Sequence, residues 1–294
     1  MYYLLSLLAG MLISTMVVFN GELNTHVGQI AALVIIHAVG LVFVTVLLLI
    51  KKEKPKLKRL PFYLYIGGYI GIVTIVFNNI AFGHISVSAM MSLGLLGESI
   101  SSLLADHFGV LGFPKRLFRK QKLWGALLSL VGIIWMWDDF QLIPVLISLG
   151  AGVMVLLSRL INGQLARKTR LLTSTFINFL TGLSGALSLL LFVGSPTPLA
   201  NAFTGRFYIY LGGLLGGIIV LLSSFCVGKI PSFYMTLALF VGQVFAGLLL
   251  DMLLTGQFPL RNFIGGFFVL AGLMLNLYID RKYENRRALI PMPH

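Results

Sequence analysis

The sequence predicts an all-α polytopic membrane protein, ten transmembrane helices arranged as two inverted five-helix repeats. Three observations carry this. Of the 294 residues, 58% are apolar and only 11% charged, against about 25% charged in a soluble domain. The apolar runs come close to the ~20 residues that a membrane helix needs. Short motifs of the first half recur in the second at near-constant offsets. Together these exclude a soluble enzyme, a nucleic-acid-binding domain and a disordered chain. No polar stretch is long enough to build an extramembrane head.

The spans read, in order, as 2–20, 28–50, 62–82, 86–109, 123–137, 142–161, 171–193, 207–228, 231–253 and 261–280. The first lacks a basic leading region and a small-x-small cleavage site, so it reads as a helix rather than a signal peptide. The fifth is the shortest. The first repeat covers 1–140 and the second 141–294. The loops give the orientation. Net charge is +13, from 22 Lys/Arg and 9 Asp/Glu. With ten spans, 19 of those 22 basic residues share one face, in loops such as Lys51–Arg59 and Lys115–Lys122. Arg206 and Arg261 lie opposite, and Arg159 lies inside the sixth span. The basic face is cytoplasmic by the positive-inside rule. The expectation is a multi-pass protein of the cytoplasmic (inner) membrane with both termini cytoplasmic. Its partner is the lipid bilayer, not nucleic acid. The single cysteine, Cys226, can form no intrachain disulfide and no cysteine metal cluster.

The repeat is explicit. Asn20-Gly21-Glu22-Leu23 recurs as Asn162-Gly163-Gln164-Leu165, and Gly40 as Gly182, 142 residues later. Phe62-Tyr63-Leu64-Tyr65-Ile66-Gly67-Gly68-x-x-Gly71 recurs as Phe207-Tyr208-Ile209-Tyr210-Leu211-Gly212-Gly213-x-x-Gly216, 145 residues later. At that same offset Gly97-Glu98 matches Gly242-Gln243, Asp106 matches Asp251, and Phe113-Pro114 matches Phe258-Pro259. Each repeat holds five spans, an odd number, so the second copy enters the membrane from the opposite side. Inverted repeats are a hallmark of secondary transporters.

These residues resemble a known family. Asn-x-x-Leu in the first span, Gly-Gly-x-x-Gly in the third and Gly97-Glu98-x-x-x-Ser102-Leu103-x-x-Asp106 in the fourth are similar to the YdcZ-type branch of the drug/metabolite transporter superfamily. The resemblance covers nearly the whole chain, which looks like two such five-span domains fused. It implies a ten-helix bundle with a central cavity that moves small organic metabolites or drugs, often by exchange with protons. The chain departs from the pattern at Glu98, where the family position is Gln, and at Met16, where a polar residue is expected. The first-helix carboxylate of the small multidrug relatives corresponds here to Ile13 and Val155.

Few residues could carry chemistry. Glu98 lies twelve residues into a 24-residue span, ~18 Å from either end. A carboxylate there costs ~2.5–3.5 kcal/mol or more and should face a cavity or a partner. It suits proton exchange against a cationic substrate. Its repeat mate Gln243 is an amide, so the ionisable function is one-sided. His37 lies at similar depth and reads first as a helix–helix contact, with a proton relay as the alternative. Asn178 is a candidate cavity amide. Asn78 and Asn79 either bond between helices or contact substrate. Arg159 lies eight residues before Arg167, within ~12 Å of the cytoplasmic surface. Snorkelling is its default, and pairing with a cavity acid or an anion is the alternative. Glu22 reads as an entrance residue, and Asp106 and Asp251, kept by both copies, as caps or loop ties. Tyr63, Tyr65, Tyr208 and Tyr210 read as interfacial belts. Glycines four apart in the third and eighth spans should pack those helices tightly.

The expected function is secondary transport of a small organic molecule by alternating access, with proton-coupled exchange at Glu98 and a slight preference for cations. Anionic or amino-acid-like substrates held by Arg159 are the alternative. A structural membrane protein and a membrane-embedded enzyme are the rivals, and an enzyme is not favoured. No cofactor or metal is expected, no phosphate-binding loop for ATP is present, and one chain or a homodimer would suffice.

Overall fold

A computed structural model of the chain describes residues 1–55, 59–108, 121–136, 142–194, 204–226, 232–258 and 260–288. Within these residues the chain forms ten α-helices: α1 Tyr2–Val27, α2 Gln29–Ile50, α3 Gly67–Ala81, α4 Val87–Phe108, α5 Lys122–Met136, α6 Leu142–Lys168, α7 Leu171–Val193, α8 Gly212–Cys226, α9 Ser232–Thr255 and α10 Leu260–Ala288. Among the described residues the extended backbone amounts to one isolated bridge, Phe82 to Ile85. An all-helical chain satisfies its backbone polar groups within each segment, as a bilayer requires.

Five helices within the described residues are long and apolar enough to cross a membrane: Tyr2–Val27, Gln29–Ile50, Leu142–Lys168, Leu171–Val193 and Ala238–Thr255. Their outward faces carry large bare side chains, with Phe192 90% and Leu191 82% exposed. In water such a surface would aggregate; against lipid it is the expected belt.

Two differences from the expected spans have physical causes. The third and eighth spans are not continuous helices. Each begins with a short 3-10 turn, Phe62–Tyr65 or Phe207–Leu211, before α3 or α8 starts at Gly67 or Gly212. At each of these two glycines a side-chain amide from the opposite half enters: Asn162 against Gly67 and Asn20 against Gly212, where a Cβ would overlap the amide oxygen. The first helix also runs past residue 20 to Val27 and stops at Gly28, φ +83°, whose amide donates to the Asn24 carbonyl at 2.8 Å. Only glycine takes that conformation at little cost.

The halves pack through equivalent pairs. α1 lies on α9 as α6 lies on α4; α1 on α8 as α6 on α3; α2 on α8 as α7 on α3. The pairs α2–α7, α4–α9 and α5–α10 map onto themselves when the halves are exchanged. Glycines make these contacts close. A Cβ on Gly10 would overlap the Leu239 carbonyl and lie 3.0 Å from the Gln243 nitrogen. Its mate Gly152 would overlap the Gly94 carbonyl and lie 2.7 Å from the Glu98 nitrogen. The Ser14 hydroxyl donates to the Gln243 carbonyl at 2.7 Å. Gly10 to Ser14 and Leu239 to Gln243 each advance by four residues, so α1 and α9 run in the same direction.

Asp251 of α9 ties the halves at the start of α4. It is buried and accepts from the Val87 amide at 2.7 Å, the Ser88 amide at 3.0 Å and the Ser88 hydroxyl. A carboxylate on unpaired first-turn amides satisfies them and opposes the helix dipole. The Asp106 side chain, its repeat mate, lies outside the described residues.

Asp251→Ala leaves two buried amides unpaired and should cost about 1–3 kcal/mol, read as a lower melting temperature in detergent. Gly152→Val should lower it further by forcing α4 off α6. Gly163→Ala should leave it unchanged, because among the described residues a Cβ there meets nothing within 4 Å.

Candidate functional site

The close approach of α4 to α6 brings Glu98 to Arg159. Arg159 donates from Nη1 to Glu98 Oε1 and from Nη2 to Oε2, the latter at 3.4 Å. The Glu98 side chain is 14% exposed and that of Arg159 47%. The Glu98 nitrogen touches α6 at Gly152, seven residues or ~10 Å before Arg159. Arg159 therefore runs back along α6 toward its N-terminal end, the way a helical Cα–Cβ bond already leans. This replaces the snorkelling expected for Arg159. A guanidinium gains charge-assisted, two-point bonds from a carboxylate, and each charge offsets the desolvation of the other.

Polar groups continue around α6. Asn162 Nδ2 donates to Asn178 Oδ1 at 2.9 Å and to the Ser158 hydroxyl at 3.1 Å. The Ser174 hydroxyl donates to the Asn162 carbonyl at 2.9 Å, and that of Ser158 to the Gly67 carbonyl at 3.3 Å. Asn178, expected as a cavity amide, is thus bonded to α6 through Asn162. Ser158, Asn162 and Ser174 were not chosen from sequence. The signal that could have found them is a comparison across the repeat. Ser158, Arg159, Ser174 and Asn178 stand where the first half has Met16, Val17, Ala32 and Ile36.

The same comparison locates open space. A Cβ on Gly216 of α8 would meet the Met16 sulfur at 3.4 Å and Phe179 at 3.7 Å, whereas among the described residues one on Gly71 of α3 meets nothing within 4 Å. The residues matching Met16 and Phe179 are Ser158 and His37. The Phe82 ring covers Gly21 of α1, but among the described residues nothing lies within 4 Å of a Cβ on its mate Gly163; Val227, which matches Phe82, lies outside the described residues. Gly163 follows Arg159 by one turn on the same α6 face.

The other candidates lie apart. His37 is buried between α2 and α7, its Nδ1 2.8 Å from the Leu33 carbonyl and its ring edge-on to Phe179 at 6.2 Å. Its ring rests on Gly182, so it occupies a different interface from Glu98. Gln243 is buried at the α1–α9 contact. Asn79 is buried, and both atoms of its amide lack a hydrogen-bond partner. Asn78, beside it, is half-buried. Glu22 accepts the Tyr208 hydroxyl at 2.7 Å, which Arg206 Nη1 approaches at 3.4 Å. A cavity of about 610 Å³ lies between α5 and α10, lined by Val131, Ile134, Trp135, Leu260, Arg261 and Ile264. It is apolar and does not involve the Glu98–Arg159 pair. Among the described residues no three metal-ligating side chains cluster.

The sequence model of a family described as "Putative inner membrane exporter, YdcZ" matches residues 1–135 and again residues 143–275. The chain belongs to this YdcZ family. It is accordingly a multi-pass inner-membrane transporter and not an enzyme. The family model thus matches twice, once in each half of the chain. No curated protein is similar to the chain at a significant level. A solved structure described only as "Crystal structure of protein" superposes with a TM-score of 0.63 at 16% identity, over 95% of this chain and 98% of its own. At that identity the likeness shows a shared fold alone.

Arg159→Gln leaves the Glu98 carboxylate without its counter-ion and should lower stability by about 1–3 kcal/mol. Adding Glu98→Gln should recover most of that loss. Non-additive melting temperatures in a double-mutant cycle would register the pair.

Proposed function

We propose that the chain moves a small organic solute across the cytoplasmic membrane by alternating access, with Glu98 and Arg159 at the centre of the binding site and proton exchange at Glu98. The observation that carries this is the ion pair itself. It joins one residue from each half, midway along α4, where isolated charges are costly. Ser158, Asn162 and Asn178 beside it offer hydrogen bonds to a polar solute, and Gly71 and Gly163 leave room for one. Because both charges come from one chain, a monomer suffices. His37 takes no part in the proton step.

The reading includes ten spans, inverted halves and cytoplasmic termini. Its support is the direction of packing. In a chain whose spans alternate, the first and fourth run oppositely. α9 matches the fourth span yet runs with α1, as expected if the second half is upside down. Inverted copies can exchange shapes, one end closing as the other opens. The unlike ends of the matched helices fit one such state. Phe82 covers Gly21 at the far end of α1, while Gly163 of α6, at what is under this topology the cytoplasmic side, is exposed and uncovered by the described residues.

The pair also changes the substrate reading. A bare Glu98 would favour cations. With Arg159 on it the site is neutral, and the anionic or amino-acid-like reading gains.

In proteoliposomes, solute-driven currents or isotope uptake should saturate in the wild type and be lost in Glu98→Gln. Transport unchanged by both Glu98→Gln and Arg159→Gln would refute this placement of the site. In a Cys226→Ser background, Pro55→Cys and Thr204→Cys should label from opposite sides of the membrane. Labelling from one side would refute the inverted topology.

A further inference from the structure

The Glu98–Arg159 pair is loaded unevenly. Arg159 is the partner that faces open space, 47% exposed against 14% for Glu98. A solute entering along the Gly163 face meets the guanidinium before the carboxylate. Only Nη1 and Nη2 of Arg159 bond Glu98, leaving further N–H groups of the five-donor fork for a second acceptor. One turn along α6, Asn162 donates to Asn178 Oδ1, which leaves the Asn178 Nδ2 group to donate. Arg167 and Lys168 follow two turns further along α6, and positive charge at a mouth raises the local concentration of anions. The chemistry assembled here is that of an anion acceptor with an acid behind it.

Resting on the transport reading above, we propose that the site takes a solute bearing a carboxylate, which displaces Glu98 from Arg159. The freed Glu98 carboxylate is then neutralised by a proton when the solute is a plain anion, or by the solute's own ammonium group when it is a zwitterion. The charges balance in both cases. The resting pair is neutral. A bound monoanion with a protonated Glu98 is neutral as well, and so is a bound zwitterion with an ionised Glu98. A carboxylate bound without either step would leave one uncompensated negative charge within the membrane, which is costly. The solute's charge therefore decides whether a proton moves with it.

The groups around Glu98 permit this. α4 packs on α1, α5, α6, α9 and α10. Among their described side chains, Arg159 is the charged group on Glu98, while Asp251 of α9 binds the N-terminal end of α4, far from it. Gln243, the repeat mate, brings no charge.

Solutes matched in carbon skeleton separate the possibilities. The acids are propionate, isocaproate and hydrocinnamate; the amino acids are alanine, leucine and phenylalanine; the amines are ethylamine, isoamylamine and phenethylamine. Binding is read on purified protein by thermal shift and by calorimetry in buffers of different ionisation enthalpy. At least one acid and its amino acid should bind while the matching amine does not. The acid should weaken about tenfold per pH unit as pH rises, with one proton taken up, and the amino acid should bind without proton uptake. Glu98→Gln should remove the pH dependence for the acid, and Arg159→Gln should lose both. The double variant, whose paired amides keep the fold, should lose both as well. Amines binding alone, and lost in Glu98→Gln, would overturn the carboxylate proposal and leave the transport site standing. No binding across the set, or binding untouched by either substitution, would overturn both.

Discussion

Backbone lying directly on backbone at glycines is the constraint on which the rest of this structure depends. Between apolar helices in lipid there is no hydrophobic drive to associate, so close packing must supply the attraction. Gly10 and Gly242 let α1 sink onto α9, and Gly97 and Gly152 do the same for α4 on α6. The second approach has a chemical consequence. It presses the Glu98 amide against α6 at Gly152, at a depth from which Arg159 can be reached only by a side chain running back along its helix. Any bulk at Gly152 would part the two charges before it altered either one.

On this evenly matched frame the contents are uneven. The first half offers Met16, Val17, Ala32 and Ile36 where the second offers Ser158, Arg159, Ser174 and Asn178. The first set is apolar and fills its space; the second bonds internally and, among the described residues, leaves nothing within 4 Å of a Cβ at Gly71 or Gly163. Under the proposed reading, the polar chemistry of this YdcZ-family transporter is gathered at one of two equivalent places. A solved structure shares this fold at 16% identity.

Much of this was readable from residues alone. Composition announced the membrane, and the repeat announced which helices would be equivalent. Glu98 and Arg159 could both be singled out as charges inside apolar spans. That they meet could not be read, because they are 61 residues apart on helices from different halves, and local reasoning sends an arginine near a helix end to the nearest water. Asp251 was legible as a tie because both copies keep it. His37 was legible as a helix–helix contact, but not which one: equal depth in the membrane says nothing about which interface a helix face meets. The breaks before Gly67 and Gly212 escaped notice: the amides that close on these glycines, Asn162 and Asn20, come from the opposite half, and their approach depends on tertiary packing.

The origin of the two charges has an evolutionary consequence. Glu98 is written in one half and Arg159 in the other, and neither has a charged counterpart in its mate. A dimer of identical first halves would hold two acids and no base, and a dimer of identical second halves the reverse. Either would place like charges symmetrically in the bilayer with nothing to neutralise them. A single neutral pair requires two unlike copies that never exchange partners. Joining the copies in one polypeptide guarantees that, and it frees one half to specialise in chemistry while the other keeps the shape.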